Sequence, residues 1–211
     1  MNIYCVPLGS NSEKHFQKYG INGFNTAKLK EEAEEKLETK NFTKGSRKDI
    51  MSVSDRMDSS TVISHLEGRD ESTDGVKYAL QEVLTELSQL TNNESLYFST
   101  EFPQYSLNPG DVLLFYTGDE EYTYSAKVSD VKKLPAVTEL MLSEDFDETV
   151  VSIEDITEIS VSGQYMSEVG NWDVNYLISF TKIPESGINT IIEDFNSVDQ
   201  FLTKAASAGV V

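Results

Sequence analysis

The chain is poor in the residues from which most catalytic and metal centres are built. Its 211 residues include one cysteine, two histidines and one tryptophan. A single thiol excludes an internal disulfide and any zinc site assembled from several thiolates. His15 and His65 have no neighbouring ligand at metal spacing, so both read as surface or capping residues. There is no glycine-rich phosphate loop, no HExxH helix and no nucleophile elbow. No apolar run approaches the roughly 18 residues of a membrane span, and Met1 to Gly9 lacks the basic start and long apolar stretch of a signal peptide. The expectation is a soluble, cytoplasmic binding protein with no catalytic residues, no metal and no cofactor. Its length suits a single hydrophobic core and hence a single domain over 1–205.

Positive charge is scarce as well. The chain carries 17 basic residues against 36 acidic ones, a formal net charge of −19. Such a surface repels nucleic acid at long range and argues against indiscriminate phosphate binding. Two explanations fit: adaptation to high salt, where surface charges are screened within a few ångströms, or imitation of DNA at another protein's DNA site. The one sizeable segment of positive sign is Lys40 to Asp58, where Lys40, Lys44, Arg47, Lys48 and Arg56 face three acidic residues. It reads either as a solvated loop or as a phosphate-contacting one.

What the chain does contain is an α-then-β order. Asn2 to Leu8 reads as a first strand, and Ser10 stands three residues before Glu13, a capping-box spacing that predicts a short helix through Phe16 and Tyr19. A surface helix follows over 26–39, with a thin apolar stripe at Leu29, Ala33 and Leu37. After a polar insertion at about 40–75, Val76, Ala79, Leu80, Val83, Leu84, Leu87 and Leu90 keep a helical period. Strands are predicted over 95–100, in a hairpin over 111–131, in two short pieces at 149–153 and 156–161, and in the alternating stretch 174–183. One or two packing helices should close the chain between Ile188 and Ala205. In the hairpin, Pro109 and Gly110 break the preceding structure, Val112 to Tyr116 is an apolar strand, and Gly118 with Asp119 supplies a turn. Tyr122, Tyr124, Ala126 and Val128 then recur with period two, which predicts one shared face. Short strands following helices favour an α+β fold, a small, partly open mixed β-barrel flanked by helices.

A divalent-metal nuclease is a reasonable trial reading, because Asp111 precedes a strand that ends in Lys127, much as the acid and lysine of the common restriction-nuclease core are arranged. That core also needs an acidic ligand two residues before the lysine, and Ser125 stands there. Aromatic residues are the richer signal. Tyr97, Phe98, Tyr105, Phe115, Tyr116, Tyr122, Tyr124, Tyr165, Trp172, Tyr176 and Phe180 crowd into the β half. Most must be core. Trp172, in the polar SEVGNWDVN, reads as either a pocket wall or a lid over the core, with Asp173 and Asn175 beside it to read a base edge.

Taken together, NIYCVPLGS with its HFQKY helix, the strand LYFSTEF, the block LNPGDVLLFYTGDEEYTYSAKVSDV and the later NYLISFTKI resemble the EVE members of the PUA-like superfamily. Where relatives often carry tryptophan then glycine just before the GD block, this chain has Tyr97, Phe98 and Ser99. The resemblance implies a barrel flanked by helices and recognition of a modified, flipped base in DNA or RNA, as in modification-dependent restriction systems. A restriction nuclease or motor would then be a partner chain. The expected base-binding set is Trp172, Asp173, Asn175, Tyr97, Phe98, Ser99 and Tyr116, and the expected phosphate contacts are Lys44, Arg47, Lys48 and Lys127. The alternative is an acidic DNA mimic or adaptor that binds a nucleic-acid enzyme.

Overall fold

The computed structural model describes residues 1–9, 13–14, 16–23, 85–86, 89–90, 94–98, 107–118, 120–135, 138, 149–172 and 180–210. The helix expected over 26–39, the insertion at 40–75, most of the periodic segment 76–90 and residues 174–179 of the expected last strand lie outside them.

Six strands form one mixed sheet: β1 (Ile3–Pro7), β2 (Ser95–Phe98), β3 (Val112–Tyr116), β4 (Glu121–Lys133), β5 (Thr149–Ser162) and β6 (Thr181–Lys182). Their spatial order is β2-β5-β4-β3-β1-β6. β1 lies parallel to β3, and every other pairing is antiparallel. The expected barrel is therefore corrected to an open sheet within an α+β fold. The reason is visible in the strands themselves. Ile3 and Cys5 pack into one core while Tyr4 and Val6 pack into another, and Val112 and Leu114 alternate with Leu113 and Phe115 in the same way. Side chains of successive strand residues point to opposite faces, so the sheet is a middle layer with apolar packing on both sides rather than a wall curled round one interior.

One face is covered by three helices: α1 (Gly163–Gly170), α2 (Glu185–Phe195) and α3 (Val198–Ala208). Met166, Val169, Ile191, Val198, Phe201 and Ala205 descend from them onto Ile3, Val112, Leu114 and Val161. Gly187 is needed for the α1–α2 approach, because a Cβ there would lie 2.3 Å from the Val169 carbonyl oxygen. α1 was not expected from the sequence. Its signals were Ser162, whose hydroxyl accepts from the Tyr165 N–H at 3.1 Å as an N-cap, and the buried Met166 and Val169. Glycines at both ends of so short a segment hid them.

The other face is aromatic. Tyr4, Phe16, Tyr97 and Phe115 are buried there with Val6, Leu113, Val128, Val151 and Ile153, and Tyr124 and Phe180 pack at its margin. The short helix expected through Phe16 and Tyr19 is a π-helical turn over Phe16–Ile21, whose wide winding continues in the Asn22 N–H donating to the Gln17 carbonyl. Gly20 lets this turn lie close to β2, since a Cβ would meet the Phe16 ring at 2.9 Å and the Leu96 carbonyl oxygen at 3.4 Å.

Two local expectations are corrected. The pieces 149–153 and 156–161 are one 14-residue strand. Glu154 and Asp155 looked like a break, but Asp155 takes a left-handed conformation (φ 53°) inside the strand where the β4–β5 register shifts, a bulge that keeps the strand running. Tyr122 does not share a face with Tyr124. Phe115 pairs with Tyr124 but Tyr116 with Tyr122, so Thr123 is an extra residue and Tyr122 turns into the helix-covered core.

Candidate functional site

The motif that stood out in the sequence is explained first by backbone satisfaction. Asp111 is buried, and its carboxylate accepts from the Asn2 N–H at 2.7 Å, the Asn2 side-chain amide at 3.1 Å and the Asn108 N–H at 3.0 Å. Its own carbonyl accepts from Val128 N–H, while Gly110, at φ 87°, donates to the Val128 carbonyl. The Pro-Gly-Asp turn thus ties the start of β3 to both β1 and β4. With Asp111 committed in this way and Ser125 buried, the nuclease-like reading gains no metal ligands, and no group of three potential ligands occurs among the described residues.

The expected base-binding residues fall on different faces. Tyr97 is buried on the aromatic face, where its ring meets Phe115 at 5.2 Å and Phe16 at 6.4 Å, both edge-on. Phe98, the next residue of β2, is buried and alternates away from it. Tyr116 and Trp172 are partly buried against the helix-covered core. The Trp172 N–H donates to the Ser167 carbonyl at 3.0 Å, and the Ser167 hydroxyl donates to the Trp172 carbonyl at 2.5 Å. A Cβ at Gly170 would lie 2.4 Å from the indole, so this glycine makes the seat on which the ring rests. The Trp172 ring packs, partly buried, against the helix-side core. Ser99, Asp173 and Asn175 lie outside the described residues, as do Lys44, Arg47 and Lys48.

Lys127 does lie in the structure, on the helix side of the sheet. Its ammonium sits 3.5 Å from an Asp155 carboxylate oxygen and 3.6 Å from one of Asp199. A lysine held between two carboxylates is a weak phosphate contact, because each anion repels the phosphate it would bind.

The sheet does bring together one group that sequence reasoning did not assemble. Phe16 on the π-helical turn packs at a tilt against Phe115, with ring centroids 4.2 Å apart, and meets Tyr124 at 5.6 Å and Tyr97 at 6.4 Å edge-on. Three of the four rings are buried, and Tyr124 is partly buried. Tyr4 and Phe180 form a second pair on the same face, 5.7 Å apart. The available signal was the alternation of β3, which sends Phe115 one way and Tyr116 the other. π-Helical turns are uncommon and often accompany functional sites.

On the helix side, the Tyr122 hydroxyl is buried and has no hydrogen-bond partner of ordinary geometry among the described residues. It lies against the Cys5 thiol. Burial pushes the Cys5 thiol up to about 12, and burial together with Cys5 and Tyr116 pushes the Tyr122 phenol well above its usual range. Both groups stay protonated and inert near neutral pH. Comparison with family models, with curated proteins and with solved structures finds no match.

Proposed function

We propose that this chain is a nucleic-acid-binding module that takes up a modified, flipped base on the aromatic face of its sheet. The observation that carries the reading is the π-helical turn that sets Phe16 over Phe115 with Tyr124 at the open margin. Stacking on aromatic rings is how an extruded base is held. Tyr97 keeps a part in this reading as the buried support beneath the cluster, and Trp172 drops out of it. A panel of duplexes and single strands carrying different modified bases, run at low and high salt, tests it. One modified ligand should be preferred over its unmodified counterpart. Equal or absent binding by the folded protein would overturn the reading.

A second reading, an acidic mimic of DNA, is favoured by the charge around Lys127. Asp155 and Asp199 flank the lysine, and Glu154 and Glu158 stand exposed on the same strand. It predicts binding to a DNA-dependent enzyme that DNA competes away.

A further inference from the structure

Strand β5 is longer than the strand beside its outer edge. β2 covers that edge only along Val150–Ile153. At the far end Val210 lies parallel to Val161, donating its N–H to the Ser160 carbonyl and accepting from the Ser162 N–H. Between these two covers, residues 154–159 have no strand at their outer edge among the described residues, while β4 holds their inner edge. The gap is about 20 Å long at the usual rise of about 3.3 Å per residue.

A strand edge that no described residue covers can template another chain, here on either side of the bulge at Asp155. Here Glu154, Asp155 and Glu158 are exposed along it, and Asp199 stands beside Asp155 across Lys127. Four carboxylates and one ammonium leave a local charge of −3. In a chain of net charge −19, that charge repels a second copy and attracts a segment of opposite sign, so one feature rejects self and selects a partner. We propose that residues 154–159 of β5 take up an extended, lysine- or arginine-bearing segment of a partner protein, which completes the layer between β2 and Val210. The proposal needs no nucleic acid, but its edge borders both functional readings. Glu158 is the cross-strand neighbour of Tyr124, and Glu154, Asp155, Glu158 and Asp199 are the carboxylates of the mimic reading, from which backbone pairing with the peptide separates it.

The test uses the full isotope-labelled chain and a short peptide of alternating lysine and valine, at about 0.05 M salt where surface charges act over long range. Amide shifts and slowed amide exchange should centre on 154–159. The same peptide methylated on alternate backbone nitrogens keeps its charge but cannot form the ladder, and should bind at least about tenfold more weakly. Replacing Glu154 and Glu158 together by Gln, an exposed and isosteric change, should weaken the unmodified peptide by about tenfold or less. Equal binding of the methylated peptide would reduce the effect to charge attraction and overturn the proposal. So would shifts centred elsewhere, self-association of the chain through this edge, or edge amides already protected in the free protein by another of its segments.

Discussion

The two faces of the sheet are made from the same strands, residue by residue in alternation, yet they differ in kind. The helix side is packed by aliphatic side chains from α1, α2 and α3 together with a ring cluster of Tyr165, Phe195 and Phe201. The other side is packed by Tyr4, Phe16, Tyr97 and Phe115 beneath a π-helical turn and opens at Tyr124. On the proposed reading the two sides would serve two tasks, the helix side stability and the Phe16 ring cluster, through its partly buried Tyr124, a stacking surface.

The largest test of that division is Phe201→Ala. The ring is fully buried and contacts Tyr165 at 6.1 Å and Phe195 at 5.4 Å, so its loss should cost about 3–5 kcal/mol of stability. Denaturant unfolding measures the loss. The molecules that remain folded should bind ligand as before, and a parallel loss of affinity would show that the helix side belongs to the site.

Next in size is Asp111→Ala. Three donors lose a charged acceptor, which should cost about 1.5–3 kcal/mol. Because Asp111 joins β3 to β1 at the sheet's centre, amide exchange should quicken at Tyr4 and Cys5 alike, although their side chains face different cores. Quickening confined to one neighbourhood would mean that the faces are not locked through this turn.

A contrasting pair sharpens the comparison. Trp172→Ala should lower stability by about 1.5–3 kcal/mol and leave affinity alone, because the indole rests on Gly170 over the helix-side core. Tyr124→Ala should do the reverse, costing about 1–3 kcal/mol of binding, or about 5- to 150-fold, with a small change in melting temperature. Interchanged outcomes would move the site to the helix side.

The sequence made the strands legible where the pattern was strong: β1, β2, β3, β4 and the closing helices lie near their expected positions. The PGD turn was legible too, since proline, glycine and an acceptor side chain each have a backbone role there. What could not be read was register. One extra residue, Thr123, reverses the side taken by Tyr122. One left-handed aspartate, Asp155, lets a strand continue through an acidic pair. The candidate site suffered from the same cause. An aromatic-rich composition does not say which rings share a face, and Tyr97 and Trp172, grouped by composition, are parted by the sheet.

The smallest expected effect concerns the one polar flaw in the helix-side core. The Tyr122 hydroxyl is buried without a hydrogen-bond partner of ordinary geometry among the described residues, so Tyr122→Phe removes a desolvated group and loses only its weak contact with the Cys5 thiol. Stability should stay level or rise by about 1 kcal/mol, the opposite sign to the usual cost of a core substitution. The same neighbourhood fixes a pH response. Cys5 ionises at about 12 in the folded protein against an ordinary value of 9.0, so between these values the unfolded chain gives up a proton that the folded chain keeps. Unfolding is then favoured as pH rises through that interval, and the contribution is fully retained below about 9. Cys5→Ala should flatten this part of the stability profile, and Tyr122→Phe should alter it less, because burial is the larger cause of the thiol's shift. If Cys5 in the native protein reacted with a thiol reagent near pH 8 as fast as a free thiol does, the sealed helix-side core would be disproved at its centre.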